Sequence, residues 1–244
     1  MDCVKCGHNF DGNYCPQCGH KVFEERYTPK RIAADTIDTL DIREGFIRTF
    51  FLLFKNPGIS IKNHLLGRSV MYNPLKLLVI TGAISTYCTS TFYVFDEVVN
   101  NELLNLPSFK EYTHYSAKYF TFTNIVGIPI FALVSRLLFS RHGLNYIEHL
   151  VLNLYIAIPQ LLMMIVGSIF FILLDNNTFV NVSLLILQNI YFIWVYLLFF
   201  QKSMMYVLFK TIMVIFIGYI AAFFGNYCLY LIIPQTVLEF FEIF

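Results

Sequence analysis

HLVLNLYIAIPQLLMMIVGSIFFILL, residues His149–Leu174, contains no Asp, Glu, Lys or Arg. A helix rises about 1.5 Å per residue and the hydrocarbon core of a bilayer is about 30 Å thick, so about 20 apolar residues suffice to cross it. The stretch is too long for an ordinary core helix and has the composition of a spanning one. It therefore decides the class: an all-α integral membrane protein.

Working outward, four more runs carry the same signature: Leu75–Phe95, Tyr119–Phe139, Phe179–Phe200 and Thr211–Ile233. Polar stops separate them, among them SRHG at 140–143, DNNT at 175–178 and QKSMM at 201–205. Composition agrees, with 57% hydrophobic and 14% charged residues. The expectation is about five transmembrane helices in a bundle over 73–235, followed by a short tail at 236–244. Cys88 and Cys228, alone in apolar runs, read as small buried hydrophobes.

The charges between these runs alternate in sign. Arg43, Arg48, Lys55, Lys62, Arg68 and Lys76 precede the first run, and Asp96, Glu97, Glu102 and Glu111 dominate the loop after it. Arg136 and Arg141 follow the second, Asp175 the third, Lys202 and Lys210 the fourth, and Glu239 and Glu242 the fifth. Under the positive-inside rule this puts the N-terminus in the cytoplasm and the C-terminus outside. Residues 1–40 hold no apolar core of a cleavable signal.

At the other end of the chain, CVKCGHNFDGNYCPQCGH (Cys3–His20) pairs Cys3 with Cys6 and Cys15 with Cys18 at a two-residue spacing. In a reducing compartment such pairs hold metal rather than disulfides. The glycine after each pair lets the backbone turn its amides toward the thiolates. Four thiolates close a tetrahedral shell, which makes one structural zinc the expected ion and iron the alternative. So short a segment has no core of its own, and metal binding would supply its folding energy, about 10–16 kcal/mol for structural zinc. A closed shell leaves no position for a reacting water, so this site is not catalytic. Lys5 and Lys21 make no basic stripe, which points away from nucleic acid.

A polar connector, 21–40, leads to 41–72, where DIREGFIRTFFLLFK places Ile42, Phe46, Phe50, Leu53 and Phe54 at helical spacing. Such amphipathic helices are expected in the headgroup plane or packed on the bundle, with Arg48, Lys55, Lys62, Arg68 and Lys76 facing lipid phosphates. Asn56-Pro57 and Asn73-Pro74 each read as an N-cap with proline at the first helical position; the first helix would end at Gly67.

The CxxCG and CPxCG pairs, the segment REGFIRTFFLLFKNPGISIKNHLLGRSVMYNPLKLL (Arg43–Leu78) and NYIEHLVLNLY (Asn145–Tyr155) together resemble a bacterial family of zinc-ribbon-bearing multi-pass membrane proteins known only as a domain of unknown function. The resemblance covers the cysteine pairs and roughly residues 40–160. It implies location in the bacterial inner membrane and a bound zinc, and carries no activity with it. The five-span topology is also similar to that of the Yip family of membrane proteins.

Within the third run, His149, Asn153 and Gln160 fall within about 40° of one another at about 100° per residue. A polar face at that depth turns toward protein or water, as a candidate intramembrane site or as hydrogen bonding between helices. Asn181 and Gln188 lie on one face of the fourth run, placed to meet it. Glu148, three residues after Asn145, fits a capping box. Small residues Thr211, Gly218, Ala222 and Gly225 mark a packing face on the last run. No metalloenzyme motif of paired histidines is present. The expected function is therefore non-enzymatic: a membrane protein, in contact with lipids and compatible with a homo-oligomer, whose ribbon docks a protein partner. The alternative is a channel or carrier for a solute or lipid, working through the polar face.

Overall fold

The computed structural model describes residues 2–3, 6–9, 11–12, 15–18, 45–69, 71–91, 120–173 and 177–232. The connector 21–40, the acidic loop 96–111 and the tail 236–244 lie outside the described residues. The regular elements described are helices: α1 (Gly45–Lys55), α2 (Pro57–Leu65), α3 (Pro74–Thr91), α4 (Phe120–Leu138), α5 (Tyr146–Leu173), α6 (Asn177–Phe200) and α7 (Met204–Ile232), with a short 3₁₀ turn at Ser140–His142.

Three helices are long and apolar enough to cross a membrane, over Tyr146–Phe171, Phe179–Phe200 and Met204–Ile232. Pro74–Cys88 and Asn124–Leu138 are shorter apolar helices. Outward-facing Leu185, Ile186 and Ile190 on α6, and Phe209, Phe216 and Phe224 on α7, are all exposed. Water would oppose so continuous an apolar surface, whereas lipid accepts it. The chain is thus a membrane protein by the length and surface chemistry of its helices. Cys228 joins that outer surface instead of being buried, and Cys88 is half-buried.

α5 is the central helix. Of its spanning segment 56% is buried, against 28% for α6 and 22% for α7. It packs on α3, α4 and α6, while α7 lies against α4 and α6. The small face expected on α7 is its contact with α4: Gly218 lies under Phe131, Gly225 under Ile130 and Ala222 opposite Gly127, and a methyl added at Gly218 or Gly225 would collide with the side chain above it, at 2.5 and 2.8 Å. Leu138 and Lys210 meet at one end of this antiparallel pair.

The last helix begins at Met204, a full seven residues before the expected start at Thr211. Lys210, read from sequence as a loop charge, is therefore helical. Its ammonium caps the Leu138 carbonyl at the C-terminus of α4 and lies 4.6 Å from the centre of the Tyr206 ring. The negative end of the α4 dipole and the ring face both hold the charge, which is why the helix can include it.

Helix ends follow local chemistry. Asn145 and Glu148 form a reciprocal capping box at α5, with N–H to carboxylate at 2.7 Å and N–H to carbonyl at 2.8 Å. Asn73 caps α3 through the amides of Leu75 and Lys76 at 2.9 and 3.2 Å. Asn56 does not cap α2 with its side chain, contrary to expectation, although Pro57 does open the helix. The reason is continuity: the Asn56 N–H still bonds the Leu52 carbonyl at 3.0 Å, so α1 runs directly into α2. Pro57 has no N–H for the Leu53 carbonyl, and the Tyr191 hydroxyl donates to it instead at 2.9 Å. At the far end Gly67, at φ +70°, and the bonds Gly67 N to His64 O and Arg68 N to Asn63 O close α2 in a Schellman motif.

α1 and α2 are packed on the larger helices, with Leu53, Ile61, His64 and Leu65 buried. Gly58 touches α6 so closely that a methyl would overlap the Val195 carbonyl and the Phe199 amide. The extended link before α3 is held by side chains: Thr49 Oγ1 accepts from Tyr72 N–H at 2.8 Å, and the Tyr155 hydroxyl donates to Tyr72 O at 2.9 Å. Both main-chain groups of Tyr72, which no helix satisfies, are thereby paired.

Candidate functional site: a four-cysteine cluster and an amide-lined cavity

The N-terminal segment doubles back on itself. Cys3 N–H bonds the His8 carbonyl and Gly7 N–H bonds the Cys3 carbonyl, both at 2.8 Å, with Gly7 at φ +75°. A lone antiparallel bridge between Asp2 and Asn9 closes the turn, aided by Asn9 Nδ2 to Asp2 Oδ1 at 2.8 Å. A second turn at 16–18 carries Cys18 toward Cys3. The result brings the sulfurs of Cys3, Cys6, Cys15 and Cys18 within 4.8 Å of one another.

Two sulfur pairs, Cys3–Cys18 at 3.5 Å and Cys6–Cys15 at 3.6 Å, are far too long for disulfides, and all six cysteines are free thiols. Four sulfurs about 2.3 Å from a common centre would sit about 3.8 Å apart in a tetrahedron, and the observed spacing fits that shell. Cys3 and Cys15 are buried, whereas Cys6 is exposed. A main-chain hydrogen bond at His8 pulls the Cys6 thiol down, but desolvation and the sulfurs of Cys18, Cys15 and Cys3 together push it up to about 12. Sulfurs this close cannot all ionise unless a cation sits among them. The donor set therefore suits a metal ion, and His8, exposed beside it, stands outside the cluster.

The predicted polar face divides in two. Asn153 and Gln160 line a partly open cavity of about 100 Å³ whose walls come from α3, α4, α5, α6 and α7. His149 does not reach it. Its ring is fully buried below, with Nδ1 2.8 Å from Ser135 Oγ and the Phe200 ring 6.2 Å away. A partner 14 residues away on α4 gave no signal in the spacing, which is why Ser135 is a finding of the structure. Neither Ser135 nor His149 lines this cavity or the outward apolar groove between α5 and α6. Glu148 is held by the capping box.

Asn153 donates to the His149 carbonyl at 2.8 Å and accepts from the Tyr196 hydroxyl at 3.4 Å. Gln160 and Gln188 exchange bonds, each side-chain amide donating to the other's main-chain carbonyl at 3.2 Å. Asn124, Asn189 and Tyr219 complete the polar lining. These three were missed because they sit on other helices, with no shared spacing to reveal them. Of the expected headgroup contacts, Arg48, Lys55 and Arg68 are exposed and Lys76 is half-buried, while Lys62 donates to Gln201 Oε1 at 2.9 Å. Lys62 thus ties α2 to the α6–α7 turn.

No protein-family model, curated protein or solved structure matches this chain.

Proposed function

We propose that this chain is a five-span protein of the bacterial inner membrane that works by binding, as an assembly or regulatory factor. Its four-cysteine knuckle, folded around one structural zinc on the cytoplasmic side, docks a protein partner. The observation that carries this reading is the closed set of four sulfurs within 4.8 Å, which offers a rigid surface and no open coordination position. The alternating loop charges support the orientation. Pro74–Cys88 and Asn124–Leu138 would be the two remaining crossings. Together with α1 and α2 on its flank, the set forms a bundle centred on α5.

The test is a crosslinked pull-down from native membranes, comparing wild type with a Cys15→Ser, Cys18→Ser variant that still inserts. A partner captured by wild type and lost with the variant supports docking and leads to the pathway. Identical captures with both proteins would remove the knuckle as a dock. A second reading, a carrier for solute or lipid, draws on the cavity that Asn153 and Gln160 line; flux into liposomes containing the protein tests it.

A further inference from the structure

Three spanning segments bring polar side chains together at mid-length. Gln160 stands next to the middle of Tyr146–Phe171, Gln188 and Asn189 at the middle of Phe179–Phe200, and Tyr219 next to the middle of Met204–Ile232. All four line the cavity of about 100 Å³. In hydrocarbon an amide without a partner is costly, so carboxamides gather at such depth either to join helices or to meet a ligand.

Joining helices accounts for only part of this group. A carboxamide has two N–H donors and one carbonyl. Gln160 and Gln188 each spend one N–H on the other's main chain. Among the described residues, the second N–H and the side-chain carbonyl of each glutamine have no protein partner, and both side chains stand half-buried on the cavity wall. Pro129 within α4 has no N–H for the Ile125 carbonyl, and Ile125 lines the same cavity. Among the described residues, no Asp, Glu, Lys, Arg or His lines it, and Ile128, Phe131 and Phe192 form apolar walls.

We propose that this cavity binds a small uncharged hydroxyl compound of glycerol size through Gln160 and Gln188. A hydroxyl donates and accepts at one atom, so two neighbouring hydroxyls can bridge a glutamine carbonyl and an amide N–H. An ion would be desolvated here with no counter-charge to meet it. A volume of about 100 Å³ equals about three waters at about 30 Å³ each, the bulk of a three-carbon polyol. Two sources carry this chemistry: the free solute and the glyceryl end of diacylglycerol in the bilayer. The site is independent of carriage, since binding without flux would remove only the carrier reading.

The test uses the full chain in phosphatidylcholine nanodiscs, with glycerol as the soluble probe and a photoactivatable diacylglycerol as the lipid probe. Glycerol should show saturation transfer and magnetisation contacts to the glutamine side-chain amides. Binding should fall at least tenfold in Ala157→Leu, which fills the cavity and leaves both glutamines, and in the Gln160→Leu, Gln188→Leu double variant. Helicity and Trp194 fluorescence check that each variant is folded. Crosslinking of diacylglycerol to α5 or α6, blocked by Ala157→Leu and without a glycerol signal, would support the site with lipid as its source. Binding of neither probe overturns the proposal, as does equal binding by both variants. So does a loss confined to Ala157→Leu, which would mean an apolar hollow. Should both variants misfold, contacts in the wild type decide: those to Gln160 and Gln188 support the site, and contacts only elsewhere overturn it.

Discussion

The cysteine knuckle and the helical region hold their structure in opposite ways. In the knuckle the four ligands lie within Cys3–Cys18, and two turns bring them together. Its fold is local and has little apolar packing to hold it, since Cys3 and Cys15 are its only buried hydrophobic residues among those described. In the helical region the deciding contacts join residues far apart, such as Tyr191 with Leu53 and Lys62 with Gln201. The arrangement of those elements depends on side chains meeting across the whole chain. Local order is lost with one ligand; distributed order is weakened a contact at a time.

The largest effect should come from removing metal. Chelation, or Cys15→Ser, is expected to unfold the knuckle while leaving the helices intact. Elemental analysis should find one zinc per wild-type chain, and far-ultraviolet circular dichroism should barely change on its removal. Loss of helicity along with the metal would show that the two regions are coupled. Below neutral pH the thiolates take up protons in competition with the metal, so its affinity should fall steadily as pH drops.

Next in size is Gly58→Ala. The added methyl would overlap the α6 backbone, which cannot move aside as a side chain would. Overpacking of this kind costs about 1–3 kcal/mol, and thermal unfolding in detergent should show the loss with metal content unchanged. An unaffected melting temperature would mean that α2 is not held against α6.

Breaking the capping box by Asn145→Ala should cost about 1 kcal/mol, a local effect inside the distributed region. Glu148→Ala removes the reciprocal bond and should cost no more than that. A double-mutant cycle on Gln160 and Gln188 should give a coupling of about 0.6–1.7 kcal/mol, the range for hydrogen bonds between membrane helices. Zero coupling would show that the reciprocal bonds do not join α5 to α6.

The smallest expected effect is a titration. His142 lies in the turn between α4 and α5, where burial lowers its pKa and the positive charges of Lys210 and Lys202 lower it further against the hydrogen bond to Phe139. The folded state thus favours the neutral ring. That contribution is present above the unfolded value, near 6.5, and is lost as pH falls through the lower folded value. Melting temperature should decline slightly below about pH 6.5 in wild type and less so in His142→Phe. Equal declines would assign the effect to other groups.

Much was legible in the sequence because it depends on near neighbours. The cysteine spacing marked the four sulfurs that come together, apolar run length marked the long helices, and Asn145 with Glu148 marked a helix start. Asn56 was misread for an instructive reason. Asn-Pro suits a cap wherever a helix begins from a loop, but here the preceding helix already supplies the carbonyl for the Asn56 amide. Lys210 was placed in a loop because charge usually ends a span; the Leu138 carbonyl that accommodates it comes from another helix.

By itself, then, the sequence determined the class of this protein, the four cysteines that cluster and most of its helix ends. These follow from chain geometry, repeat period and ligand chemistry over a few turns. Only the tertiary structure decided that His149 turns to Ser135 while Asn153 and Gln160 share a cavity with Asn124, Asn189 and Tyr219. The physical reason is that spacing sets which face of its own helix a residue occupies. Which helix lies opposite that face depends on packing among side chains from the whole chain.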